Sequence, residues 1–145
     1  RLGWMVVPDS LIKPIEKLSQ NLFISSNSLS QMVAYKAFEC EDEIKEVIGK
    51  YKKNRDKILD TFHKLGINKI APSEGAFYIY ADISHLTNDS MFFCKSLLKE
   101  AGVAITPGVD FDGLKGKSFI RLSYACDNSI IAESSKRITD WIKGI

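Results

Sequence analysis

Apolar residues near the amino terminus form one strand-like run followed by a helix-like run. Residues 2–7 are a short apolar segment, typical of a single strand, with no second strand adjacent in the sequence. Beyond Asp9 and Ser10, which are candidate helix caps, apolar residues recur at helical spacing as far as Leu22. Pro14 falls early in this run, where a helix tolerates proline. The pattern predicts one strand and one helix.

Two further helices are predicted before residue 66. Ser28 and Gln31 have the spacing of a capping box, and apolar residues follow them at helical intervals. Apolar residues over 43–65 then trace one stripe that stops at Gly66, where a left-handed cap is expected. A helix of that length reaches about 35 Å, more than one small domain needs. We therefore expect it to link two bodies.

The pattern after residue 66 alternates between strands and shorter helices. Such alternation favours an α/β or α+β arrangement of layers. The predicted strands are 69–71, 76–83, 103–106 and 118–125, and the predicted helices are 89–101 and 128–143.

Composition and charge exclude several classes of protein. Hydrophobic residues make up 45% and charged residues 26% of the 145 positions, which is typical of a globular domain. The net charge of +2 comes from 20 basic and 18 acidic residues spread along the chain, so neither nucleic acid nor a membrane surface is an expected partner. Because there is no long apolar run and no signal-peptide pattern, we expect a soluble, cytosolic protein.

The cysteines and histidines indicate neither disulfides nor a metal site. Cys40, Cys94 and Cys126 are odd in number and widely spaced, so free thiols are expected. His63 and His85 each stand apart from other ligand types at metal-binding spacing.

Arg121 is the candidate binding residue that the strand pattern singles out. Alternation over 118–125 places it on one face of the strand with Phe119 and Ser123. A buried guanidinium needs an anion, which a protein carboxylate or a ligand would supply. An exposed edge strand is the third interpretation, and the strand alone does not decide among them.

Four short motifs in a fixed order resemble class I/II, fold-type I, pyridoxal-phosphate-dependent aminotransferases, and specifically the C-terminal part of the aspartate aminotransferase-like members. The match extends over essentially the whole chain. The motifs are Arg1-Leu2-Gly3-Trp4, Gly75-Ala76-Phe77-Tyr78, Gly102-Val103-Ala104-Ile105-Thr106-Pro107-Gly108 and Phe119-Ile120-Arg121-Leu122-Ser123-Tyr124-Ala125.

The resemblance implies roles for three residues. Arg121 would bind the substrate α-carboxylate, Phe77 would lie near the substrate side chain, and Arg1 would contact the phosphate of pyridoxal 5'-phosphate. The family's Schiff-base lysine precedes the position of Arg1, so this chain would contain no catalytic residue. We expect the chain alone to be inactive.

The resemblance also implies an α/β fold and a domain arrangement. Residues 1–42 would end the large cofactor-binding domain, 43–66 would form the long interdomain helix, and 67–145 would form the small C-terminal α/β domain. The expected protein is a cytoplasmic homodimer of amino acid metabolism and biosynthesis, acting on amino acids and 2-oxo acids. The segment around Asn27 and Ser28 resembles one at the family's dimer interface.

Three alternative functions fit the same fold. They are a lyase or synthase of the pyridoxal-phosphate superfamily, a transcription regulator with an aminotransferase-like domain, and an interaction module without catalysis. A DNA-binding segment preceding this chain would favour the regulator.

Overall fold

The computed structural model describes residues 2–144, which divide into two compact units. The units are Arg1–Lys45 and Glu46–Ile145, and the division falls inside one long helix. The elements combine five α-helices with one small sheet over the described residues, as expected for an α/β fragment.

The first unit is helical, and two predictions for it are wrong. Residues 2–7 form no strand, because a strand needs a hydrogen-bonded partner and none pairs with this segment within the described residues. Helix α1 is Asp9–Leu22 and follows Pro8, whose side chain forms no cap, so Asp9 and Ser10 are helical residues and not caps.

Helix α2, Ser28–Ala37, is capped by a residue that the capping-box prediction missed. The Asn27 side chain accepts a hydrogen bond of 3.1 Å from the Ser30 backbone N–H. Gln31 donates instead to the Ser26 carbonyl at 2.8 Å. The predicted Ser28–Gln31 box is therefore wrong by one residue, although the helix itself is confirmed.

Neither α1 nor α2 buries a residue. Their apolar side chains are exposed, which means that these helices have no hydrophobic core of their own among the described residues. The exposed large apolar residues here include Leu18, Leu22, Leu29, Met32, Val33 and Phe38.

Helix α3, Glu41–Lys64, confirms the predicted long helix and begins two residues early. Three acidic residues in its first turn, Glu41 to Glu43, complement the positive end of the helix dipole. Past its end, Gly66 has φ of +77°, the left-handed conformation predicted for it.

Three short strands form one antiparallel sheet in the second unit. They are β1, Tyr78–Asp82, β2, Thr106–Pro107, and β3, Phe119–Ser123, in the order β1-β3-β2. The predicted strand at 69–71 is reduced to a single bridge between Ile70 and Ala81. The predicted strand at 103–106 is wrong except for Thr106, because β2 is Thr106–Pro107.

Helices α4, Ser90–Ala101, and α5, Asn128–Lys143, follow β1 and β3 as predicted. Together with the later part of α3 they supply the core that buries one face of the sheet. Core residues from the sheet and the three helices are Ile79, Ala81, Ile120, Leu122, Ile58, Phe62, Phe93, Leu97, Ile131 and Ile138.

The cysteines agree with the prediction of free thiols. Cys40, Cys94 and Cys126 are all unpaired, and burial raises the pKa of the Cys94 thiol to about 11, so it stays neutral. Between residues 2 and 144 the structure contains no cluster of metal-ligating side chains. Over the same residues no helix is both long and apolar enough to cross a membrane.

Candidate functional site

The site is built on the face of the sheet that points away from the core. Buried and half-buried residues alternate along β1 and β3, which leaves Tyr78, Tyr80, Phe119 and Arg121 on the same half-buried face. Arg121 lies at the middle of β3, opposite Tyr80 of β1 and Thr106 of β2. Because β3 is the central strand, the edge-strand interpretation is wrong.

Arg121 carries a charge that no carboxylate neutralises within residues 2–144. In that part of the chain the arginine ion pairs are those of Arg55 with Asp56 and of Arg137 with Glu133. The Arg121 guanidinium takes part in no side-chain hydrogen bond among the described residues. Its N–H groups are therefore available to an anion from outside these residues. Such an anion would stabilise the half-buried guanidinium.

Two aromatic rings hold the Arg121 guanidinium. Its central carbon lies 4.2 Å from the ring centroid of Tyr78 and 4.1 Å from that of Phe111. The guanidinium therefore has an aromatic contact from the sheet and a second one from the connection between β2 and β3. Cation–π contacts of this kind contribute about 0.5–2 kcal/mol each. Neither contact is a hydrogen bond, so the N–H groups of the guanidinium remain available to an anion.

Phe111 reaches Arg121 from the connection between β2 and β3. Its backbone N–H donates to the Gly108 carbonyl at 2.9 Å, within a short 3-10 turn. A Cβ atom on Gly108 would lie 2.6 Å from the carbonyl oxygen of Gly116 and 2.7 Å from the Phe119 Cβ. This close approach of backbones requires glycine, and it brings the two ends of the connection together.

Phe77 lies immediately before β1 and touches the same aromatic group. Its ring centroid is 4.5 Å from that of Tyr78 and 6.2 Å from that of Tyr51 of α3. Its backbone carbonyl accepts a hydrogen bond of 2.9 Å from the N–H of Tyr124. Tyr78 therefore contacts both Phe77 and Arg121, two residues that the sequence predicted for one site.

The remaining predicted site residue, Arg1, lies outside the described residues. The contacts of Tyr78 and Phe111 with the guanidinium were not predicted from the sequence. Tyr78 could have been found from its alternation with Tyr80 on β1. No local signal connects Phe111 with Arg121, because the loop conformation brings them together.

A cavity of about 270 Å³ lies on the other side of the sheet, between α3 and α5. Its lining includes Leu122, which points into the core, and contains no charged side chain. A site for a charged ligand therefore fits the Arg121 face better than this cavity.

Tyr80 carries a buried side-chain polar atom that has no hydrogen-bond partner among the described residues. Its hydroxyl is buried and unpaired among the described residues, and burial raises its pKa, with a smaller contribution from the charge of Asp112. The Tyr80 ring stacks on Phe119 at 5.1 Å between centroids.

Replacing Tyr80 with phenylalanine is expected to leave stability unchanged or to raise it by up to about 1 kcal/mol, because the change removes a desolvated hydroxyl and keeps the stacked ring. The melting temperature of the complete protein that carries this chain measures the effect. A clear decrease would mean that the hydroxyl has a partner outside residues 2–144.

Comparison with known proteins identifies relatives that match this chain over nearly its full length. The family model described as aminotransferase class I and II matches residues 1–138. The chain is 43% identical over 144 residues to valine–pyruvate aminotransferase of Mycobacterium tuberculosis, covering 98% of this chain and 37% of the relative. It is 40% identical to a (5-formylfuran-3-yl)methyl phosphate transaminase of Methanocaldococcus jannaschii, covering 98% and 38%.

Solved structures show the same similarity. The crystal structure of an aminotransferase from Mycobacterium tuberculosis superposes with a TM-score of 0.87 at 41% identity, covering 99% of this chain and 38% of that one. A structure from Methanococcus jannaschii, described as similar in its active site to kynurenine aminotransferases, has a TM-score of 0.79 at 39% identity, covering 92% and 36%. The chain thus spans less than two-fifths of the length of these relatives.

Proposed function

Because this chain belongs to the class I and II aminotransferase family, we propose that the protein carrying it transfers an amino group between an amino acid and a 2-oxo acid. The relatives named above are aminotransferases, which favours amino transfer over the lyase, regulator and interaction-module alternatives. Within this protein, the second unit would supply the group that binds the substrate α-carboxylate.

The guanidinium of Arg121, which has no ion pair within residues 2–144, is the observation that carries this proposal. A carboxylate is planar and accepts two parallel hydrogen bonds from an arginine fork, so it complements a guanidinium that has aromatic contacts but no ion pair within residues 2–144. Binding at that edge would fix the direction of the bonds from the substrate α-carbon. The contribution of Arg121 is then positioning of the reacting atoms.

Phe77 is the second residue that we assign to the substrate. Its side chain is 37% exposed, while its backbone is held by Tyr124, so it offers an apolar surface on a fixed support. Contact of both Phe77 and Arg121 with Tyr78 supports a role for Phe77 beside the substrate side chain.

Members of this family use pyridoxal phosphate, which supplies an electron sink for the reaction when it is bound. Arg1 has the planar, permanently charged fork that fits a phosphate dianion, and we assign it to that group. The described part of the chain contributes the carboxylate end of the site, and its residues bind and orient the substrate.

The division into domains that the sequence predicts stays a proposal. Residues 1–42 would end the large domain, 43–66 would form the linking helix and 67–145 the small domain. A division of the chain at Lys45, inside the continuous helix α3, supports a boundary in that helix. The cytoplasmic homodimer and the biosynthetic role likewise remain predictions.

Two parallel preparations test the proposed function. The complete protein, loaded with pyridoxal phosphate, is expected to convert amino donors with 2-oxo acids and to yield a borohydride-stable adduct on a lysine that precedes Arg1. The 145-residue chain alone is expected to do neither, since that lysine precedes it in the family. A complete protein that binds no cofactor would contradict the proposal. Turnover by the chain alone would contradict the assigned position of the lysine.

A further inference from the structure

We propose that Phe111 is a positioning residue that holds the Arg121 guanidinium in the orientation that receives the substrate carboxylate, an inference that rests on the proposed role of Arg121. A guanidinium is carried on a long, flexible side chain and loses conformational freedom when it binds. Without an ion pair inside residues 2–144, the aromatic contacts of Arg121 are what restricts it before a ligand arrives.

Tyr78 supplies only one of the two aromatic contacts of the guanidinium. Phe111 supplies the other, with its ring centroid 4.1 Å from the central carbon of the guanidinium, and its own ring is in contact with the sheet. The Tyr80 ring meets Phe111 edge to face, with centroids 6.4 Å apart and an interplanar angle of 88°. Tyr80 in turn stacks on Phe119 of β3. The two rings that contact the guanidinium, Tyr78 and Phe111, form an aromatic clamp that the sheet supports.

The connection that carries Phe111 is anchored at a buried point. The Ser90 hydroxyl, at the start of α4, donates to the carbonyl of Gly116 at 2.8 Å, and both residues are buried. Gly108 packs directly against Gly116, because there is no space for a Cβ atom on Gly108. These contacts tie the connection down on both sides of Phe111, although its ring remains 50% exposed.

The clamp affects recognition of carboxylate more than any other part of the reaction. A guanidinium in contact with two rings is already restricted before a ligand arrives, so the side chain loses less conformational freedom on binding. Removing one ring is expected to weaken carboxylate binding about tenfold, in line with a partly desolvated cation–π contact. The binding of substrates without a carboxylate is expected to be unchanged.

The test compares Phe111→Leu with Phe92→Leu in the complete, cofactor-loaded protein. Phe92 lies on α4 and is 67% exposed, which makes it a matched control. The readouts are the Kd of the monocarboxylate 3-methylbutanoate, measured by calorimetry, and KM and kcat for an amino acid and for an amine of the same side chain that lacks the carboxylate.

Phe111→Leu is expected to raise the Kd of 3-methylbutanoate and the KM of the amino acid about tenfold, with the amine unaffected. Phe111→Trp, which keeps a ring over the cation, should restore most of the loss. An unchanged Kd in Phe111→Leu, or an equal loss with the amine, would overturn the inference.

Arg121→Ala, measured in parallel, separates this inference from the proposed function beneath it. If Arg121→Ala weakens 3-methylbutanoate binding and Phe111→Leu does not, only the role of Phe111 fails. If neither variant changes the Kd, the assignment of Arg121 to the carboxylate fails as well.

Discussion

Replacing Arg121 with alanine is expected to lower kcat/KM for amino acid donors by a factor on the order of 10² to 10³ in the complete protein. Truncating one partner of a desolvated charge pair costs about 2–5 kcal/mol, and each 1.4 kcal/mol is about tenfold. Arg121→Lys keeps the charge and loses the fork, so an intermediate decrease is expected. Steady-state kinetics with an amino acid series measures both effects.

An amine that lacks the carboxylate is the control for Arg121→Ala. Because such a substrate has nothing to pair with the guanidinium, its kcat/KM should stay within a few-fold of the wild-type value. The absorbance of bound cofactor should also be unchanged, which would exclude unfolding as the cause. Retention of nearly full activity on amino acids by Arg121→Ala would contradict the assignment.

Replacing Asn54 with aspartate is expected to destabilise the protein by about 3–5 kcal/mol at neutral pH. Asn54 of α3 is 1% exposed and donates to the backbone carbonyls of Tyr124 at 3.1 Å and of Cys126 at 2.8 Å. A carboxylate there cannot donate while ionised, and it would be buried against two carbonyl oxygens. Urea denaturation or the melting temperature measures the loss.

The penalty for Asn54→Asp depends on pH in a definite direction. Burial and the facing carbonyl oxygens raise the pKa of the introduced carboxyl above its unfolded value of about 3.9. The folded state then binds more protons than the unfolded state, so relative stability falls as pH rises above that value. The difference between variant and wild type should be smallest in acid.

Asn68→Asp is the matched control for this substitution. Asn68 is exposed and its side chain donates to the Gly66 carbonyl at 3.3 Å, a long hydrogen bond at the surface. The same change in charge there is expected to alter stability by about 0.5 kcal/mol or less. Equal effects at the two positions would show that the hydrogen bonds of Asn54 contribute little.

Asn54 also connects the core to the proposed substrate site. The Tyr124 backbone N–H donates to the Phe77 carbonyl, and the Tyr124 hydroxyl donates to the Ala76 carbonyl at 3.3 Å. Ala76 adopts a positive φ of 55°, which is uncommon for a residue other than glycine. The segment leading into Phe77 is therefore held in place through Tyr124 and Asn54, from positions distant in the sequence.

The sequence by itself determined the helices and the two longer strands, β1 and β3, of this protein. Periodicity identified α3 and the face of β3 that carries Arg121, and glycine identified the left-handed position at Gly66. These features depend on residues close together in the chain, so local propensity and patterning were sufficient to predict them. The four motifs, read in order, were sufficient to predict the family.

Only the tertiary structure decided which segments pair and what surrounds Arg121. The apolar run at 2–7 has the composition of a strand but no partner in the described part of the chain, whereas β3 has a partner on each side and becomes the central strand. The contacts of Phe111 with Arg121 and of Asn54 with Tyr124 depend on a loop conformation and on a helix packed against distant residues. Such contacts are set by chain closure and packing across the whole unit, and a local pattern does not contain that information.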